Sequence, residues 1–154
     1  MSLTTWFPNL AKGNHRLTSP EDDKYNCIAW ASGDDTVWWE PHSKYHWPID
    51  RIPDDVEPVV QDIAALFLAE GFEAHDDEAH EPGYDRVAIY GTTRELFTHI
   101  ARQLDSGWWA SKLGPYEDIE HESLSVLEGL YYGQVAIILR KAKMWQGKSA
   151  PQQT

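Results

Sequence analysis

Cysteine is all but absent. The 154 residues hold a single one, Cys27, so no intramolecular disulfide is available and the fold has to stand on its apolar core. Basic residues are scarce as well: Lys and Arg total 13 against 25 Asp and Glu, a formal charge of −12, and the clearest acid-free basic stretch runs from Arg140 to Lys148. So acidic a surface repels phosphate backbones, which excludes nucleic acid as the expected partner. No apolar run approaches the roughly 18 residues of a membrane-spanning helix. The first residues also lack the basic start and apolar stretch of a secretory signal, so a reducing, cytoplasmic setting with no membrane partner is the expectation. What the chain holds in excess is tryptophan, eight in all. A core of this size needs fewer, and several are expected to line a surface or cleft.

One domain is expected over 1–154, with an irregular segment over 1–24, where Pro8, Gly13 and Pro20 interrupt the chain, and a basic polar tail over 142–154. Acidic residues and Asn26 then precede an apolar run, which predicts a helix with Cys27 in its first turn and Gly33 at its end. Pro41, Pro48 and Pro53 exclude a long regular element in the aromatic segment that follows. Val59, Ile63, Leu66 and Phe67 recur at helical spacing, with Pro58 allowed in the first turn and Gly71 beyond the end. Phe72 to His75 reads as a short strand. Further strands are predicted at RVAIYG, LFTHIARQ, WWASKLG and QVAIILRK, with a short helix at SLSVLEGL before the last. Asp105, Ser106 and Gly107 supply the turn of a hairpin between the middle pair. The fold class is α+β, N-terminal helices packed on a mostly antiparallel sheet.

A cysteine in the first turn of a helix meets unpaired N–H groups and the positive end of the helix dipole, both of which lower a thiol pKa. A nucleophilic cysteine also needs a base, commonly a histidine brought alongside from a distant strand. His99, in the middle of LFTHIARQ, is placed for that role; a buried structural cysteine and a core histidine form the alternative. Ser111 and Asp118 are the candidates to orient the imidazole. A three-residue loop over 105–107 pairs His99 with Leu113 and puts Ser111 on its face, whereas a four-residue loop pairs it with Lys112. Asp118 offers a carboxylate that fixes the tautomer and stabilises an imidazolium. Lys112 is a candidate to lower the Cys27 pKa or to bind a substrate carboxylate. Asn26 either caps the helix, the commoner job, or adds an oxyanion donor. Trp38, Trp39, Tyr45 and Trp47 follow the cysteine helix directly, and either wall a cleft for a peptide or acyl group or cover the core. His42 and His46 are bracketed by prolines, and the acidic cluster from His75 to His80 matches no ligand spacing, so neither metal nor other cofactor is expected.

The blocks YNCIAWA at Tyr25 to Ala31, THIARQ at Thr98 to Gln103, and WWASKLG at Trp108 to Gly114, with DIEH at Asp118 to His121, resemble an uncharacterised bacterial family. That family looks like a branch of the papain-like cysteine hydrolases, similar in layout to NlpC-type peptidases. The resemblance spans Tyr25 to Lys141 and implies a papain-like fold with Cys27 as nucleophile and His99 as general base. The expected function is a cysteine-dependent hydrolase, a peptidase or amidase acting on an amide or related acyl bond of a peptide or small amide substrate. The acidic surface suits neutral or cationic substrates. The alternative is a non-catalytic papain-like interaction module, an immunity-type or other partner-binding protein, that keeps the Cys/His pair for packing.

Overall fold

A computed structural model describes residues 3–143. Local chemistry sets the two principal helices. Asn26 is extended, and its side-chain oxygen accepts from the Ala29 N–H at 3.2 Å, starting helix α2 (Cys27–Ala31). Gly33, at φ +87°, turns the chain away after it. Helix α3 (Val60–Ala69) begins where the Asp62 carboxylate accepts from the Val59 N–H at 2.8 Å. Pro58 therefore precedes the helix and is not in its first turn. Val60, Ile63, Ala64, Leu66 and Phe67 form the buried stripe of α3.

The strands are β1 (His15–Leu17), β2 (Glu73–Ala74), β3 (Tyr84–Gly91), β4 (Phe97–Gln103), β5 (Trp109–Lys112), β6 (Asp118–His121) and β7 (Gln134–Ala142). They form one sheet in the order β1-β6-β5-β4-β3-β7-β2, and every pairing is antiparallel. The β4–β5 hairpin closes with a Leu104 N–H to Trp108 carbonyl bond of 2.8 Å around residues 105–107. Gly107 takes the left-handed position there, at φ +94°. Alternation along the strands divides the core in two. Ile89, Ile100 and Leu139 meet α2 and α3 on one face, while Ala88, Tyr90, Ala101, Trp109 and Ile119 meet Phe7, Leu124 and Leu127 on the other.

The α+β class stands, with helices on a wholly antiparallel sheet. Three expectations are corrected. The segment 1–24 is not irregular throughout, since it supplies a helical turn, α1 (Leu3–Trp6), and the edge strand β1. Asp118 to His121, not among the predicted strands, is β6, whose four residues were too few to show a hydrophobic period. The segment SLSVLEGL yields only a 3-10 turn at Leu124–Leu127. Ala142 still belongs to β7, and the rest of the expected basic tail lies, from residue 144 on, outside the described residues. Among the described residues no helix is long and apolar enough to cross a membrane.

Candidate functional site

Cys27 is the first residue of α2 and is buried, packed in the same apolar cluster as Ile100. Backbone N–H groups of Ile100, Ile28 and Cys27 itself act on the sulfur and favour the thiolate. Burial opposes them and prevails, pushing the thiol up to about 11. The expected lowering by the helix start is thereby corrected: a helix of five residues adds up too little dipole to offset the burial of the sulfur.

His99 has no exposed surface. Its ring stacks on Tyr132 with centroids 4.2 Å apart and planes 3° from parallel, and lies 5.4 Å from Tyr90 at a tilt. Burial, with a smaller contribution from nearby His121, holds its pKa well below the ordinary imidazole range, so the ring is neutral. A neutral imidazole carries one N–H and one free lone pair, and here neither nitrogen has a hydrogen-bond partner, the Cys27 sulfur included. Buried polar groups left in this state are rare.

Both side chains reach one cavity of about 150 Å³. Ladder pairing between β4 and β5 is confined to Arg102↔Ala110 and Gln103↔Trp109. At the other end of these strands Thr98 and His99 of β4 stand beside Leu113, Gly114 and Pro115 after β5, and the cavity occupies that end. Its remaining walls are mostly aromatic and come from three other places, Leu3, Trp6 and Phe7 near the start of the chain, Tyr116, and Tyr131 with Tyr132. Tyr131 and the adjoining Leu130 are exposed at its margin. These walls were missed in the sequence. Their only signal was pairing of large aromatics, Trp6-Phe7 and Tyr131-Tyr132, beside turn-forming residues.

The three-residue hairpin loop sets the register that puts Ser111 on the His99 face of the sheet, but its hydroxyl lies 2.8 Å from His121 Nε2. His121 Nδ1 lies 2.9 Å from the Ser123 carbonyl, which can only accept, so Nδ1 carries the proton and Ser111 donates to Nε2. Asp118 pairs with Lys112 across β5 and β6 and so lies on the face opposite Ser111 and His99. Its carboxylate accepts from the Tyr25 hydroxyl at 2.8 Å, not from His99. Lys112 is fully buried, with its ammonium 4.9 Å from the Tyr25 ring centre and bonded to the carbonyls of Asp22, Gly114 and Tyr116. Three donors meet three acceptors, leaving none for a substrate carboxylate.

Asn26 caps α2 and also ties down the next loop, accepting from the Trp39 N–H at 3.1 Å and donating to the Trp39 carbonyl at 2.7 Å. It is not part of the cavity wall. Nor are the tryptophans expected there: Trp39 and Trp47 are core, and Trp38 donates to Glu40 at 2.6 Å. Trp39 and Trp47 fill the core where the proline-rich loop provides no regular element. Among the described residues no three His, Cys, Asp or Glu side chains converge as a metal site would require.

Residues 16–140 match the model of a family described as a domain of unknown function, DUF7689. The chain belongs to the DUF7689 family. The matched region contains Cys27, His99, Ser111 and His121, hence both strands and the helix that frame the cavity. No curated protein and no solved structure matches the chain.

Proposed function

We propose that this DUF7689 protein is a cysteine-dependent acyl hydrolase of papain-like layout, acting on an amide or related acyl bond, with Cys27 as nucleophile and His99 as general base. One observation carries the reading: a fully buried histidine with no partner on either nitrogen lines the same cavity as the chain's single cysteine. The layout supports it too, with a cysteine opening a helix that packs on an antiparallel sheet and a histidine on a following strand.

The resting pair is a neutral thiol and a neutral imidazole. On attack, Cys27 Sγ bonds to the acyl carbon while His99 takes the thiol proton. Collapse expels the amine or alcohol, which takes that proton back and leaves a thioester. Water, deprotonated by His99, then releases the acid and restores the thiol. The backbone N–H groups of Ile100 and Ile28 beside the sulfur are the donors available to a developing oxyanion, the Asn26 amide being occupied by Trp39.

The test uses p-nitrophenyl acetate as acyl donor and intact-protein mass as readout. Acetylation of Cys27 is expected in the wild type, absent in Cys27→Ala, and slower by about a hundredfold in His99→Ala. Equal acetylation rates in wild type and His99→Ala, or none in the wild type, overturn the proposal. The occupation of Ser111 by His121 and of Asp118 by Tyr25, which leaves His99 without an orienting group, favours the second reading of a non-catalytic partner-binding module. On that reading Cys27→Ala retains full binding of its protein partner and no acyl-enzyme forms.

A further inference from the structure

At the opposite end of β4 from His99 lies a larger cavity of about 400 Å³, within the size range of small-molecule sites. It is bounded by the end of α2, the end of α3 and the adjoining ends of the sheet strands. Arg102 lines it and is unusual in this protein. Its guanidinium lies over the Trp30 ring, 4.7 Å from the centroid, and it has no hydrogen bond and no carboxylate partner among the described residues, although the chain has 25 Asp and Glu. Its Nε is buried without a partner, and so is the Ser32 hydroxyl, which lines the same cavity. The Trp30 ring covers one side of the guanidinium and leaves its edge N–H groups for an in-plane oxyanion.

The rest of the lining narrows the ligand. Lys141 adds a second cation with no carboxylate of the described residues within 4 Å, whereas Lys143 is taken by Asp105 at 2.8 Å. Glu70 and Asp85 also border the space and would oppose a dianion. Phe67 and Phe72, edge to face at 5.3 Å, give it an apolar side. We infer that this cavity binds a small organic acid, its carboxylate held in the plane of Arg102 with help from Ser32 and Lys141, and its apolar body against Phe67 and Phe72. The site is separate from Cys27 and does not depend on the hydrolase reading.

Benzoate is the probe, added to the full chain at constant ionic strength, with chloride and inorganic phosphate as comparisons and backbone amide resonances as readout. Saturable shifts are expected at Ser32, Gly33 and Gln103 with benzoate, retained in Cys27→Ala. In Arg102→Met, whose stem still covers Trp30, affinity is expected to fall at least about tenfold. Ser32→Ala, which disturbs no packing, is expected to weaken binding severalfold and serves as the decisive variant should Arg102→Met not fold. No saturation with benzoate, a preference for phosphate, shifts confined to the cavity of Cys27, or unchanged affinity in the variants overturns the inference.

Discussion

His99 and Tyr132 lie face to face, 4.2 Å between ring centres, and this stack forms one wall of the cavity that Cys27 enters. The ring is held by packing, since no hydrogen bond orients it. Tyr132→Leu keeps apolar volume and loses the stack, so a cost of about 1 kcal/mol is expected. Tyr132→Ala leaves a void and is expected to cost about 3 to 5 kcal/mol in urea unfolding. In both variants the His99 ring proton resonances should move downfield with loss of the tyrosine ring current. Unmoved resonances would show that the ring is held by something else.

Burial of neutral histidines makes stability depend on pH in a defined direction. His121 is brought down from 6.5 to about 4, and His99 shifts the same way. Below pH 6.5 the unfolded chain takes up protons that the folded chain refuses, so stability is full above that pH and declines as pH falls towards 4. The His121 contribution amounts to about 3 kcal/mol by pH 4. Urea midpoints measured from pH 7.5 to 4 should fall accordingly, and His121→Asn, which keeps a donor for the Ser123 carbonyl, should flatten the slope by one proton.

Cys27 behaves oppositely. Its thiol is held at about 11, so alkylation by iodoacetamide should keep accelerating above pH 9, where an ordinary exposed thiol levels off. Because the chain has a single cysteine, the label reports this site alone. A plateau near neutral pH would mean that the thiolate forms far more readily than its burial dictates.

Lys112 is expected to act on stability and not on substrate charge. Lys112→Met keeps the stem but strips the carbonyls of Asp22, Gly114 and Tyr116 of their donor, an expected loss of about 3 to 5 kcal/mol in thermal or urea unfolding. Any acyl transfer measured below the unfolding transition should keep its preference between neutral and anionic donors.

Gly133 is a backbone requirement. It sits at φ +74°, and an added Cβ would collide with the Gly91 carbonyl oxygen, at the end of β3 where the β3–β4 register shifts. Gly133→Ala must displace the segment that carries Tyr132, with an expected loss of several kcal/mol, on the order of 4. Circular dichroism melting checks this, and a melting temperature within a degree of wild type would contradict it.

By itself the sequence determined the pieces that local chemistry controls. Asn26 before Cys27 starts a helix because its side chain meets the Ala29 N–H, Gly33 ends it, and Asp105 to Gly107 close a hairpin of three residues. From that loop length the register follows, and with it the placing of Ser111 on the His99 face, because alternation along a strand is strict. Tertiary structure decided the rest. Whether the Cys27 thiol is acidic or not depended on how much water remains around it, which no spacing records. Ser111 found His121, and Asp118 found Tyr25, because β6 formed from four residues too few to show a period. Trp39 and Trp47 of the proline-rich loop went to the core, and the walls beside Cys27 came from residues near the start of the chain, from Tyr116 and from the turn before β7. Contacts between elements distant in the chain arise from the sheet order, and only the packed sheet brings Trp6, Cys27, His99 and Tyr132 to one cavity.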